Sequence, residues 1–238
     1  MRVPWNATGS MFVDIPGMVA VERAKSAANA EELVRAFDAE ATKRELVHQN
    51  KVERCMTASI PAQMIESART RDLTIIPAGT EPSHQSYIAQ SVVFGSGRPV
   101  LVVPEAPKRT GRLTLNSIGI AWDFSRPAAR AIADALPMLR QAKAVHVATV
   151  TNEKVIDTHR SATDLARHLA CHGVKVSLDE EDAAGRSIGT VLENYATSRE
   201  LDVLVMGAYG HSRLRDFVVG GATKSLIANP SVPVFLSH

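Results

Sequence analysis

Gly207, Gly210, Gly220 and Gly221 punctuate a stretch that follows the apolar run 201–206 and leads into the helix-like run 222–228. A strand, a glycine-rich connection and a helix, in that order, form the place where an α/β sheet binds ligands. Glycine reaches positive φ without steric cost and leaves no Cβ between the backbone and an approaching anion. Successive N–H groups can then converge on phosphate oxygens, helped by the positive end of the following helix. Thr223 adds a hydroxyl to the stretch, Arg213 and Lys224 add positive charge, and His211 lies inside it. A second candidate is Asp123, at the carboxyl end of the apolar run 117–122 and two residues before Ser125. A carboxylate there can accept hydrogen bonds from a ligand, or can cap the helix that follows.

Apolar periodicity supplies the elements that position these residues. Val19, Val21, Ala24, Ala28, Leu33, Val34, Phe37 and Ala41 recur at helical spacing, which predicts a long helix over 18–46. A short strand is expected near 52–57, and then a helix over 61–68 with Ser59 as its cap and Pro61 in its first turn. Strands are expected at 73–76 and 99–103. Residues 104–112 are polar, hold two prolines and a glycine, and read as a linker. Beyond them, strands at 117–122, 144–150, 174–178, 201–206 and 232–236 alternate with helices at 127–141, 158–172, 189–198 and 222–228. Asn229 and Pro230 end the last helix. This alternation predicts an α/β fold with a parallel, doubly wound sheet, of strand order 3-2-1-4-5 in the second half.

The two halves resemble each other. Residues 68–79 align without gaps on 196–207, with Ala68, Arg71, Leu73 and Gly79 recurring as Ala196, Arg199, Leu201 and Gly207. Further on, Pro99 and Val100 correspond to Pro233 and Val234, at an offset of 134 residues instead of 128. The difference falls in the glycine-rich stretch, so the first half reads as a degenerate copy with its loop shortened. Two Rossmann-like domains are therefore expected, 1–107 and 112–238, the first without its opening strand–helix–strand. A half sheet of that kind leaves long unpaired edges. Another chain or the second domain covers them, or the natural start lies upstream; the last is the expectation.

Residues 207–223 resemble the signature of the universal stress protein family: glycine, two residues, glycine, nine residues, glycine, then serine or threonine. Gly207, Gly210 and Gly220 keep that spacing, while the next position is Gly221 instead of a hydroxyl residue. Asp123, followed by Phe124 and Ser125, matches the aspartate that faces adenosine in the family, and Val147 matches the position whose backbone reads the adenine edge. The resemblance implies an ATP-like adenine nucleotide, with or without magnesium. It would be held by Ala121, Asp123, Val147, Met206, Gly207, Tyr209, Gly210, His211, Arg213, Gly220, Gly221, Ala222 and Thr223. It also implies that the last strands of two domains pair about a twofold axis, within one chain or in a homodimer.

Composition narrows the remaining classes. Lys and Arg number 27 against 25 Asp and Glu, a net charge of +2 that offers no electrostatic footprint for nucleic acid or an anionic membrane. No apolar run is long enough to cross a bilayer, and Cys55 and Cys171 read as free thiols of a cytoplasmic protein. His168 and His172 share a helix face beside Cys171, but no third ligand is placed, so a solvated face is expected. No nucleophile elbow or P-loop lysine pattern is present, and the acidic residues do not cluster as a metal-dependent phosphotransferase would need. The expected function is a stress-response regulator with at most slow ATP hydrolysis. The alternative is an interaction module that binds no nucleotide.

Overall fold

The computed structural model describes residues 15–79, 84–105, 113–152, 158–208 and 221–238. The chain divides into two compact units, Met1–Cys55 and Met56–His238.

The described part of the first unit is a single long helix, α1 (Ile15–Lys43), and the chain that turns back at its end. Leu46 N–H donates to the Ala41 carbonyl at 2.9 Å, with Glu45 at φ 55° making the turn. His48 then faces two acceptors, the Leu46 carbonyl at 3.0 Å and the Asp38 carboxylate at 2.8 Å. Both ring nitrogens gain by carrying a proton, so the carbonyl first and Asp38 second raise its pKa. The strand expected near 52–57 is absent. Those residues meet no neighbouring strand, and a strand exists only through its ladder.

In the second unit a 3-10 turn (Thr57–Ser59) runs directly into α2 (Ile60–Ala68). The turn overrides the expected cap: Ser59 has helical backbone angles and its side chain caps nothing, while Ile60 N–H donates to the Thr57 carbonyl. β1 (Thr74–Pro77), α3 (His84–Ser96) and β2 (Val100–Val103) follow. After them come β3 (Ser117–Ala121), α4 (Arg126–Leu139), β4 (Ala144–Thr151) and α5 (Thr158–Cys171). The chain closes with β5 (Val176–Asp182), α6 (Ile188–Ser198), β6 (Val203–Gly207), α7 (Gly221–Ala228) and β7 (Val234–Ser237). The helix α3 has no counterpart among the elements expected from periodicity. Its segment carries no Asp, Glu, Lys or Arg from His84 to Ser96, so no charged face marks it, and it is buried on Ile88, Ala89, Val92 and Val93.

All seven strands join one sheet in the order β1-β2-β7-β6-β3-β4-β5. The expected boundary at 107–112 falls between two strands of this sheet, and residues 106–112 lie outside the described ones. Every strand pair is parallel except β2 with β7, which is antiparallel. That ladder is centred on Leu101 opposite Phe235, the two residues that the repeat offset of 134 makes equivalent. β1 beside β2 repeats β6 beside β7. Thr74 and Ala78 donate to Pro99 and Val103 as Leu204 and Ala208 donate to Pro233 and Ser237. These bonds place Pro77, not Gly79, at the counterpart of Gly207, a slip of two residues from the gapless sequence match. Because Thr74 and Ala78 aim their N–H groups at β2, position 77 faces the open edge, where proline removes a donor that nothing would pair.

The sheet is apolar on both faces, as a doubly wound sheet requires. Ile118, Ile120, Val145, Val147, Val203, Val205 and Phe235 pack with α4 and α5 on one side. Val100, Val102, Leu204, Met206, Val234 and Leu236 pack with α3, α6 and α7 on the other. Buried Asp202 accepts from the Asn116 and Ser117 N–H groups at 2.6 and 3.1 Å and so fastens the start of β3 beside β6. A second polar anchor joins α6 to β5: the Tyr195 hydroxyl donates to Asp179 at 2.7 Å, and Arg199 bonds its other oxygen at 2.7 Å. Burial first and Asp179 second push the Tyr195 phenol far above its ordinary value. A raised folded pKa means that this contribution to stability is whole below about pH 10 and is lost as the pH rises beyond. In alkaline titration followed by tyrosinate absorbance, Tyr195 should stay silent until the protein unfolds. Tyr195→Phe should flatten the alkaline limb of stability against pH; an unchanged slope would show that the phenol does not drive it.

Candidate functional site

The order of the sheet reverses between β3 and β6: α4 leaves β3 for one face and α7 packs on the other. A crevice at such a switch point opens above the carboxyl ends of the two strands. Ala121, the last residue of β3, pairs with Met206 of β6, and Gly207 pairs with Ser237 of β7. Four of the expected residues, Ala121, Asp123, Met206 and Gly207, thus come to adjacent strand ends.

The turn after β3 is built by its own side chains. Asp123 Oδ1 accepts from the Ser125 N–H at 3.0 Å, and Ser125 Oγ accepts from the Ala128 N–H at 3.2 Å as the cap of α4. Between them Phe124 stands at φ 60°, unusual for a residue with a Cβ, with its ring exposed and edge-on to Trp122 at 5.9 Å. The carboxylate therefore has a local structural role.

Gly207 has a different reason to be glycine from the one its motif suggests. A Cβ there would lie 2.3 Å from the Ala128 nitrogen and 2.5 Å from the Pro127 carbonyl carbon. The missing side chain admits the first turn of α4 against β6. Met206 is buried in the core on the α7 face, and its side chain is part of the packing there. Val147 is wholly buried on the opposite face, within a ladder between Ile120 and Leu178. β4 runs on to Thr151, so Val147 lies in mid-strand, opposite Ile120 and one residue before the Ala121–Ala148 pair at the end of β3. Gly221 and Ala222 open α7, and Thr223 in its first turn is buried at 3% exposure. Tyr209, Gly210, His211, Arg213 and Gly220 lie outside the described residues.

The neighbours of β6 include groups that no local signal announces. Ala208 N–H donates to the Ser237 carbonyl at 2.8 Å, and Ser237 Oγ donates to Asp134 of α4 at 2.9 Å. Asp134 also receives Arg130 at 2.9 Å. At the far side of the carboxyl edge, Asp182 is held below the ordinary carboxylate range by the Asn152 side chain first and the Ala184 N–H second. The paired rings of His168 and His172 are 4.8 Å apart, and among the described residues no group of three His, Cys, Asp or Glu is placed to hold a metal ion.

A family model, that of the universal stress protein family, matches residues 114–238, which is all of β3 through β7. The chain belongs to the universal stress protein family. A curated universal stress protein of Synechocystis sp. is 42% identical over 40 residues, 17% of this chain and 14% of that protein. The matched stretch is thus a small part of that relative's length. Among solved structures, a universal stress protein from Archaeoglobus fulgidus superposes with a TM-score of 0.66 at 14% identity, over 97% of this chain and 82% of that one. A second, from Pseudomonas aeruginosa, gives 0.55 at 17% identity over 86% and 77%. At such identities the likeness is one of fold. The universal stress protein domain here packs its first motif glycine against a helix, and that contact is measurable. Gly207→Ala should destabilise the protein by about 1–3 kcal/mol through overpacking at α4. A chemical-denaturation midpoint equal to the unsubstituted protein would refute the close approach.

Proposed function

We propose that this universal stress protein binds an adenine nucleotide of the ATP type in the crevice above β3 and β6, and acts as a stress-response regulator instead of a fast enzyme. The observation that carries this reading is the convergence of Ala121, Asp123, Met206 and Gly207 on adjacent strand ends at the switch point of the family domain. Asp123, just beyond the end of β3, would accept from the ribose hydroxyls. The N–H groups of the glycine-rich stretch through Gly220, Gly221 and Ala222 would take the phosphates, with Tyr209, Gly210, His211, Arg213 and Thr223 around them and magnesium neutralising charge where present. Val147, whose side chain is buried in mid-strand, would meet the adenine edge through its backbone.

In the same reading the chain is tandem in type, with 1–107 a worn copy and 112–238 the nucleotide domain. The antiparallel ladder centred on Leu101 and Phe235 supports it, since it sets one half against the other as two subunits of a dimer would sit. Near-zero net charge and two exposed, unpaired cysteines accord with a cytoplasmic protein that engages neither nucleic acid nor membrane. Among the described residues no helix is long and apolar enough to cross a membrane.

A second reading, an interaction module without nucleotide, is favoured by Gly221 at the family's hydroxyl position and by the burial of Thr223. Thermal unfolding with increasing Mg-ATP separates the two. A ligand that binds only the folded state at a hundredfold excess over Kd adds about 2.7 kcal/mol, which moves the midpoint by several degrees. A midpoint indifferent to millimolar ATP, ADP and AMP, with no nucleotide co-purifying by mass spectrometry, would decide for the interaction module.

A further inference from the structure

Ala208 is the last described residue before the glycine-rich stretch, and it is held from two sides. Its N–H donates to the Ser237 carbonyl, and its own carbonyl lies 3.0 Å from Nδ1 of His238. A carbonyl can only accept, so Nδ1 carries the proton. The imidazole in turn meets Phe94 of α3 edge-on, with centroids 4.8 Å apart and planes at 70°. Successive residues of a strand point to opposite faces. Ser237 accordingly reaches Asp134 on the α4 side, while His238 reaches the face where α3 lies.

We propose that His238 is a positioning residue that fixes the entry to the nucleotide loop, and that Phe94 holds its ring, so that a helix of the N-terminal half sets the affinity of the C-terminal site. The inference rests on the nucleotide reading for its consequence but not for its geometry. Ala208 is wholly buried and bonded to β7, so its peptide is a fixed point just beyond the end of β6. The phenyl edge contact restricts the imidazole to the orientation in which Nδ1 faces that carbonyl. Neither His238 nor Phe94 needs to touch the ligand. A worn first repeat thereby retains a role, because it braces the loop of its partner half through α3.

The test compares His238→Ala, His238→Asn and Phe94→Leu in the full chain, by amide hydrogen exchange at Ala208 and by Mg-ATP titration. His238→Ala should speed exchange at Ala208 and weaken Mg-ATP roughly fivefold, the equivalent of one lost neutral hydrogen bond. His238→Asn presents an amide donor near the place of Nδ1 and should restore most of both. Phe94→Leu should fall between, and the double variant Phe94→Leu with His238→Ala should be no worse than His238→Ala alone, because the two act in series. His238 is exposed, so all variants should keep the unfolding midpoint of the unsubstituted protein within a few degrees. Unchanged exchange at Ala208 in His238→Ala would overturn the proposal. Faster exchange with unchanged affinity would overturn the positioning role as well. If the unsubstituted protein ignores Mg-ATP, the nucleotide reading fails, and exchange at Ala208 alone decides whether the brace exists.

Discussion

The antiparallel ladder between β2 and β7 is the constraint on which the rest of the second unit depends. Alone, β1 and β2 would be a two-stranded piece, too small to be stable in water. Paired with β7 they become the margin of a seven-stranded sheet whose two faces are both covered by helices. The same ladder occupies the outer edge of β7, so β7 is paired on both sides within the chain. Strand addition is thereby restricted to β1 and β5. Each is protected differently: β1 by Pro77 at its outward position, and β5 by the run Asp179–Asp182 of acidic side chains.

At the other end of the ladder the same pairing organises the carboxyl edge. Ser237 and His238 extend β7 just far enough to tie Ala208, α4 and α3 together. Gly207 lets α4 start against β6, and Ser125 caps that helix in a turn closed by Asp123. The residues at the switch point therefore have structural roles of their own, and a substitution there perturbs the packing of α4 on β6.

Much of this architecture is legible in the sequence because it is written at short range. The strand–helix alternation from 117 to 238 follows from apolar runs and their periods, and each element falls within a few residues of its expected place. Segments without such a signal mislead. Residues 52–57 have strand-like composition but no partner strand, and α3 has no charged face to mark it. The repeat match is displaced by two residues for a related reason. Side chains alternate with a period of two, so a slip of that size leaves every apolar residue on its proper face. Only the ladder hydrogen bonds distinguish Pro77 from Gly79 as the counterpart of Gly207.

By itself the sequence determined the class of fold, the family signature and the identity of the residues at the end of β3, because propensity, period and motif spacing are local properties. Tertiary structure alone decided that both halves share one sheet, that Gly207 makes room for a helix, and that Val147 is interior. It alone set His238 between Ala208 and Phe94. Those facts depend on atoms brought together from distant parts of the chain, and no pattern along it records which surfaces will meet.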